Sequence, residues 1–203
     1  MKLLTGGIAL TQEAELAERL ANDLDRHFEQ LVLAYQDRIY AFALRLTNNP
    51  QDAEEVAQDT FVRAYRALLT CTREQIRTLA LRPWLYQIAL NNFKNRVRRK
   101  RHPSISLDQA GSTTTLEPLE DEQQSPEMLV EARETGEMLE QLVTALPQRY
   151  RAAVILRHIE GLGYAELATI LHQPVGTIKA NVHRGTALLR KAISQQIYEK
   201  EVV

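Results

Sequence analysis

The chain is predicted to be all-α: two small helical domains joined by a flexible acidic linker, the C-terminal one a helix-turn-helix. Three observations carry this. Everything periodic in the sequence repeats at helical spacing. Periodicity disappears from His102 to Pro126, where Pro, Ser, Thr, Gly, Gln and acidic residues dominate, the composition of a linker. The stretch Tyr164 to Arg190 reads as two short helices around a tight turn, the second of them basic.

The 203 residues suffice for one domain or two small ones with buried cores. The formal net charge of −1 hides a segregated distribution: Arg82 to Arg101 holds seven Lys/Arg residues and no acid, whereas Glu117 to Glu140 holds nine acids against the single Arg133. The lone Cys71 excludes an intramolecular disulfide and suits a reducing compartment, where it reads as a small packing residue rather than a nucleophile. No apolar run is long enough to span a bilayer. The opening MKLLTGGIAL passes into polar sequence without a small-residue cleavage site, so no signal peptide is expected.

From Thr11 to Leu46 an amphipathic pattern runs through Leu16, Leu20, Leu24, Phe28, Leu31, Val32, Tyr35, Ile39, Phe42 and Leu46, as one helix or two, and ends at Asn48-Asn49-Pro50. Asn49 suits an N-cap with Pro50 at the first helical position. Ala53, Val56, Ala57, Thr60, Phe61, Ala64, Tyr65 and Leu68 then trace the core stripe of the next helix. Its other face carries Asp52, Glu54, Glu55, Gln58 and Asp59, which by itself is a solvated face whose early acids complement the helix dipole.

A loosely patterned connection, TCTREQIRTLALRP, leads to a third helix from Trp84 to Arg101 with core positions Trp84, Leu85, Ile88, Ala89 and Phe93. Its second half, NNFKNRVRRKRH, is densely basic. Aromatics stack on any base while Arg and Lys neutralise phosphate, so this helix suits unstacked nucleic acid; the plainer alternative is a solubilising helix end. After Pro126 the pattern resumes through Met128, Met138, Leu139, Leu142, Val143 and Leu146, breaks at Pro147, and restarts through Tyr150, Ala153, Val154, Leu156 and Ile159 until Gly161.

In the closing pair of helices Leu162, Ala165, Leu167, Ala168 and Leu171 form one apolar face, and Ile178 and Val182 give the second helix its seam. His172-Gln173-Pro174 makes the turn, since proline cannot continue one helix but suits the start of the next. Thr177, Lys179, Asn181, His183 and Arg184 then project opposite the seam, where they can reach phosphates and base edges. An ordinary helical hairpin with a solvated polar face is the competing reading.

Two separated blocks resemble one family. DAEEVAQDTFVRAYRAL followed by RPWLYQIALNNFKNRVRRKR resembles region 2 of extracytoplasmic-function sigma factors, and LPQRYRAAVILRHIEGLGYAELATILHQPVGTIKANVHRG is similar to their region 4. The resemblance implies a cytoplasmic initiation subunit of bacterial RNA polymerase without a catalytic site, cofactor or metal of its own. Its implied partners are the polymerase core, promoter DNA and an anti-sigma factor, with no membrane insertion. It implies an organisation of N-terminal extension 1–24, region 2 over 25–101, linker 102–126 and region 4 over 127–203.

Carried over residue by residue, the resemblance assigns Glu55, Gln58, Asp59 and Thr60 to polymerase binding. It assigns Trp84, Tyr86, Asn91, Asn92, Lys94, Asn95, Arg96, Arg98 and Arg99 to the minus-ten element, as a non-template strand with one base turned out of the stack. Thr177, Lys179, Asn181, His183 and Arg184 would read the minus-thirty-five element. The acidic linker resembles the family's connector through the polymerase.

The chain also departs from its relatives. His172 replaces the usual turn glycine, a left-handed position at a steric cost, and Ala180, Asn181 and Thr186 stand where many relatives carry Ser, Arg and Arg. Leu69 to Leu81 lacks the usual aromatic and glycine pattern. No additional domain is expected after Val203. A helix-turn-helix repressor or activator is the runner-up function, though it leaves the first block unexplained. A metal-dependent enzyme is disfavoured because His27, His102, His158, His172 and His183 show no ligand spacing and no Gly-rich phosphate loop appears.

Overall fold

The computed structural model describes residues 4–101 and 126–201, with side chains over 12–100 and 136–198 except 197. The linker expected over 102–126 lies outside the described residues apart from Pro126, where a helix begins. The chain divides into two compact helical units.

The first unit centres on five helices: α1 (Leu4–Asn22), α2 (Leu24–Thr47), α3 (Pro50–Thr70), α4 (Arg73–Arg77) and α5 (Leu81–Arg101). The long N-terminal pattern is two helices. The break falls at Asp23, whose carboxylate accepts from the Arg26 N–H and so caps the start of α2. α2 closes at Asn48, which takes a left-handed φ of 51°. The segment before Asp25 contributes to the core, with Ala17, Leu20 and Ala21 buried. α1 lies against α4 and α5. Its Glu13 accepts from the Arg82 N–H at 2.7 Å, satisfying one of the open donors at the head of α5, and its Glu18 takes Arg77 of α4 at 2.8 and 2.9 Å.

α4 stands where only a loose connection was expected. Thr72 accepts from the Gln75 N–H and Gln75 accepts from the Thr72 N–H, a complete capping box. The core stripe of α3 is Ala53, Val56, Ala57, Thr60, Ala64 and Leu68. Phe61 and Tyr65, expected on it, are half-buried and instead line a shallow apolar groove with Phe28, Val62 and Arg66. The Phe28 and Tyr65 rings meet edge-on at 5.0 Å, and the Tyr65 hydroxyl donates to Asp25.

The second unit centres on α6 (Pro126–Ala145), α7 (Gln148–Val154), a π-helical turn (Ile155–Ile159), α8 (Tyr164–Leu171) and α9 (Val175–Glu201). α9 packs across α6, α7 and α8. Gly161 ends the π-turn at φ 68°. α9 approaches α7 so closely at Gly185 that a Cβ there would lie 2.5 Å from Val154 Cγ2. Among the described residues no strand occurs, and no helix is long and apolar enough to cross a membrane.

Candidate nucleic-acid interface

The α3–α5 surface is built from opposite charges. Glu55, Gln58 and Asp59 are exposed on α3, with Gln58 donating to Glu54. Asp52, one turn earlier, is nearly covered: its side chain is 15% exposed. One of its carboxylate oxygens accepts from Arg96 Nε at 2.9 Å and Nη2 at 2.6 Å, and the other accepts from Lys100 at 2.6 Å. Arg96 also pairs with Glu55. Burial pushes the Asp52 carboxyl up, but the hydrogen bonds from Lys100 and Arg96 outweigh it and hold the group below its ordinary value.

Along α5, Asn91, Lys94, Arg98 and Arg99 are exposed and Trp84, Asn95 and Arg96 half-buried. Arg98 donates to Asn95. Two residues expected at the surface lie in the core instead. Tyr86 is fully buried with its ring edge-on to Phe42 at 5.0 Å. Asn92, three residues beyond the buried Ala89, falls on the inner face and donates to Thr60 Oγ1 at 3.2 Å. Thr60, on the core stripe by its spacing though the resemblance assigns it to polymerase binding, is itself buried and donates to the Val56 carbonyl. This Asn–Thr bond ties α5 to α3 from inside the unit.

The α8–α9 hairpin is shaped by its turn. His172 takes the left-handed conformation at φ 53° and ψ 47°, and the Gln173 N–H bonds back to the Ala168 carbonyl, closing α8 as glycine usually does. Glu166 caps the head of α8 by accepting from the Gly163 N–H. Leu162, Leu167, Leu171, Ile178 and Val182 are buried as their spacing predicts, whereas Ala165 is exposed and Ile170 takes a place inside.

Thr177, Lys179, His183 and Arg184 are exposed on α9. Asn181 is not: it sits three residues after Ile178, beside the seam, and donates to Gln173 at 3.0 Å, bracing the turn rather than facing outward. Two residues that sequence reasoning missed join this surface. Lys179 and Arg157 lie over the Tyr164 ring, at 5.8 and 4.8 Å from its centroid. The sequence holds no local signal for this, because the three residues come from the π-turn and both helices of the hairpin.

Both surfaces fall within segments that match sigma-70 family models. Residues 31–102 match sigma-70 region 2, and residues 136–189 match sigma-70 region 4. The RNA polymerase sigma-H factor of Pseudomonas aeruginosa is 35% identical over 192 residues, covering 93% of this chain and 97% of that protein. The chain belongs to the extracytoplasmic-function sigma factors. SigW of Bacillus subtilis, a named member, is 34% identical over 170 residues, covering 82% of this chain and 88% of that sigma factor. The sigma factor RpoE of Bartonella quintana, solved with the anti-sigma factor NepR, shares the fold, with a TM-score of 0.62, 23% identity, and coverage of 82% of this chain and 96% of that one. An extracytoplasmic-function sigma factor is a transcription initiation factor, and the basic faces of α5 and α9 lie in its two DNA-associated regions.

Proposed function

We propose that this sigma factor carries core RNA polymerase to promoters by presenting three surfaces in order along the chain. Glu55, Gln58 and Asp59 meet a basic part of the polymerase, and the apolar groove of Phe28, Phe61 and Tyr65 beside them supplies contact area that charge alone does not. Trp84, Asn91, Lys94, Asn95, Arg96, Arg98 and Arg99 engage the opened minus-ten strand. Thr177, Lys179, His183 and Arg184, flanked by Arg157 and Tyr164, engage the minus-thirty-five duplex. Thr60, Tyr86, Asn92 and Asn181 support these faces from behind. Residues 25–101 and 127–203 act as regions 2 and 4, with 1–24 as an extension and 102–126 as the connector. The protein works in the cytoplasm without catalytic chemistry, cofactor or metal, and an anti-sigma factor restrains it, as the one solved with the Bartonella relative suggests.

One observation carries the reading: both sigma regions, in family order, lie on one chain that matches a sigma factor over nearly its whole length. In vitro transcription with core polymerase over a promoter library tests it. The expected result is transcripts that require the chain and share two spaced elements. Duplex binding without any core-dependent transcript would support a repressor or activator instead.

A further inference from the structure

Asn181 stands on the half of α9 assigned to DNA, yet it does not face outward. It lies four residues after Thr177 and three before Arg184, the spacing of one helix ridge, and both of those neighbours are exposed. Asn181 itself is only 9% exposed, and its amide Nδ2 donates to Gln173 Oε1 at 3.0 Å. The backbone thus sets Asn181 at the rim of the recognition face, and a side-chain bond turns it inward.

Gln173 is well placed to hold it. Its N–H bonds back to the Ala168 carbonyl at 3.1 Å, and the following Pro174 restricts its backbone to extended conformations. With that backbone already fixed, the bond to Asn181 orders only the side chain.

The inward turn matters because of what an asparagine can read. Its amide donates to N7 and accepts from N6–H of adenine in the major groove, a contact worth roughly tenfold in discrimination. Held against Gln173, Asn181 makes no such contact. Lys179 and His183, exposed two residues to either side, are left to read without it.

We propose that Gln173 is a positioning residue that withholds Asn181 from the minus-thirty-five element, so that a base pair beneath α9 goes unread. This rests on the minus-thirty-five assignment above. Promoter choice is then set in part from the turn, by a side chain that acts through Asn181 and not on DNA.

The test is binding of the full chain with core polymerase to a promoter library randomised across the minus-thirty-five element, with the bound fraction sequenced. Lys179→Ala is the control for reading by α9 and should flatten an existing preference. Gln173→Leu, close in bulk but without an acceptor, is expected to create a roughly tenfold preference for adenine at a base pair where wild type has none. Asn181→Ala is expected to leave the wild-type preferences within about twofold, since it removes no base contact. Combining the two changes should abolish the new adenine preference. Gln173→Glu keeps an oxygen for the amide and should retain the wild-type pattern. A pair that merely stiffened the hairpin would, on removal, weaken all sequences alike with no new preference. That result overturns the proposal, as does a lost preference in Asn181→Ala, or an adenine preference that survives in the double variant or appears in Gln173→Glu. If Gln173→Leu lacks native circular dichroism, Gln173→Ala is judged by the same outcomes. Wild type indifferent to the minus-thirty-five sequence, with Lys179→Ala no different, would sink the functional assignment and this proposal with it. Wild type that discriminates beside a Gln173→Leu that adds nothing sinks this proposal alone.

Discussion

The two basic surfaces hold their cations in different ways. On α5, Arg96 and Lys100 are tied to carboxylates of α3, which take three of the five Arg96 N–H groups and one of the three on Lys100. On α9, Lys179 lies over the Tyr164 ring, and Arg184 is exposed with no acid paired to it among the described residues. An aromatic face steadies an ammonium for ~0.5–1 kcal/mol at an exposed site and leaves its N–H groups pointing elsewhere. A charge-assisted hydrogen bond is worth ~1.5–3 kcal/mol and consumes the donor. Lys179 and Arg184 on α9 thus pair with no acid among the described residues, whereas on α5 such unpaired cations, Lys94 and Arg99, stand beside the acid-bound Arg96 and Lys100.

The largest expected effect separates the scaffolds beneath the two surfaces. Gly185→Ala would set a methyl group 2.5 Å from Val154 Cγ2 and 3.2 Å from Tyr150 Cβ. Overpacking of this kind should destabilise the second unit by ~1–3 kcal/mol in urea unfolding and weaken minus-thirty-five duplex binding, leaving single-strand binding by the first unit unchanged. Gly176→Ala, with nothing within 4 Å, should not destabilise, and equal losses from both would remove the close approach as the cause.

Next in size is the polymerase face. Asp59 is exposed and free of the Arg96 network, so Asp59→Lys should weaken core association by ~10-fold or more through like-charge contact while circular dichroism stays native. Undiminished core affinity would remove Asp59 from the interface.

A smaller effect sharpens the picture of α9. Arg184 lies further from the helix N-terminus than Lys179, the end that comes nearest to base edges. Arg184→Ala should therefore weaken matched and mismatched duplexes alike and lower the salt slope by roughly one, whereas Lys179→Ala should cost mainly the matched sequence. Lost discrimination with an intact salt slope in Arg184→Ala would reverse the two roles.

The smallest contrast lies between neighbours on α5. Asn92 is buried with its Oδ1 unpartnered among the described residues, so Asn92→Ala should shift stability by only ~1 kcal/mol and leave strand opening near wild type, while exposed Asn91→Ala should reduce it. The opposite ranking in permanganate footprints would mean that α5 turns in the complex.

Much of this was legible in the sequence because the signals are local. The α3 stripe, the Ile178–Val182 seam and the left-handed turn at His172 follow from spacing and from what a residue's own backbone tolerates. α4 had a signal too: Thr72 and Gln75 stand at capping-box spacing, but a helix of five residues is too short for periodicity to mark it. Burial of Tyr86 and Asn92 was harder to see, since a helix packed on a wide face hides residues beside its main stripe. The Asp52–Arg96–Lys100 network was out of reach, because its partners stand 44 and 48 residues apart and meet only after folding.

Permanganate reactivity of minus-ten thymines, with core polymerase, the chain and a promoter selected from the library, tests the central claim most directly. Reactive thymines are predicted only when chain and polymerase are both present, with reactivity lost when the minus-ten sequence is scrambled and reduced when the minus-thirty-five sequence is. Thymines that stay protected in the full mixture, or that react equally on a scrambled promoter, would contradict the account.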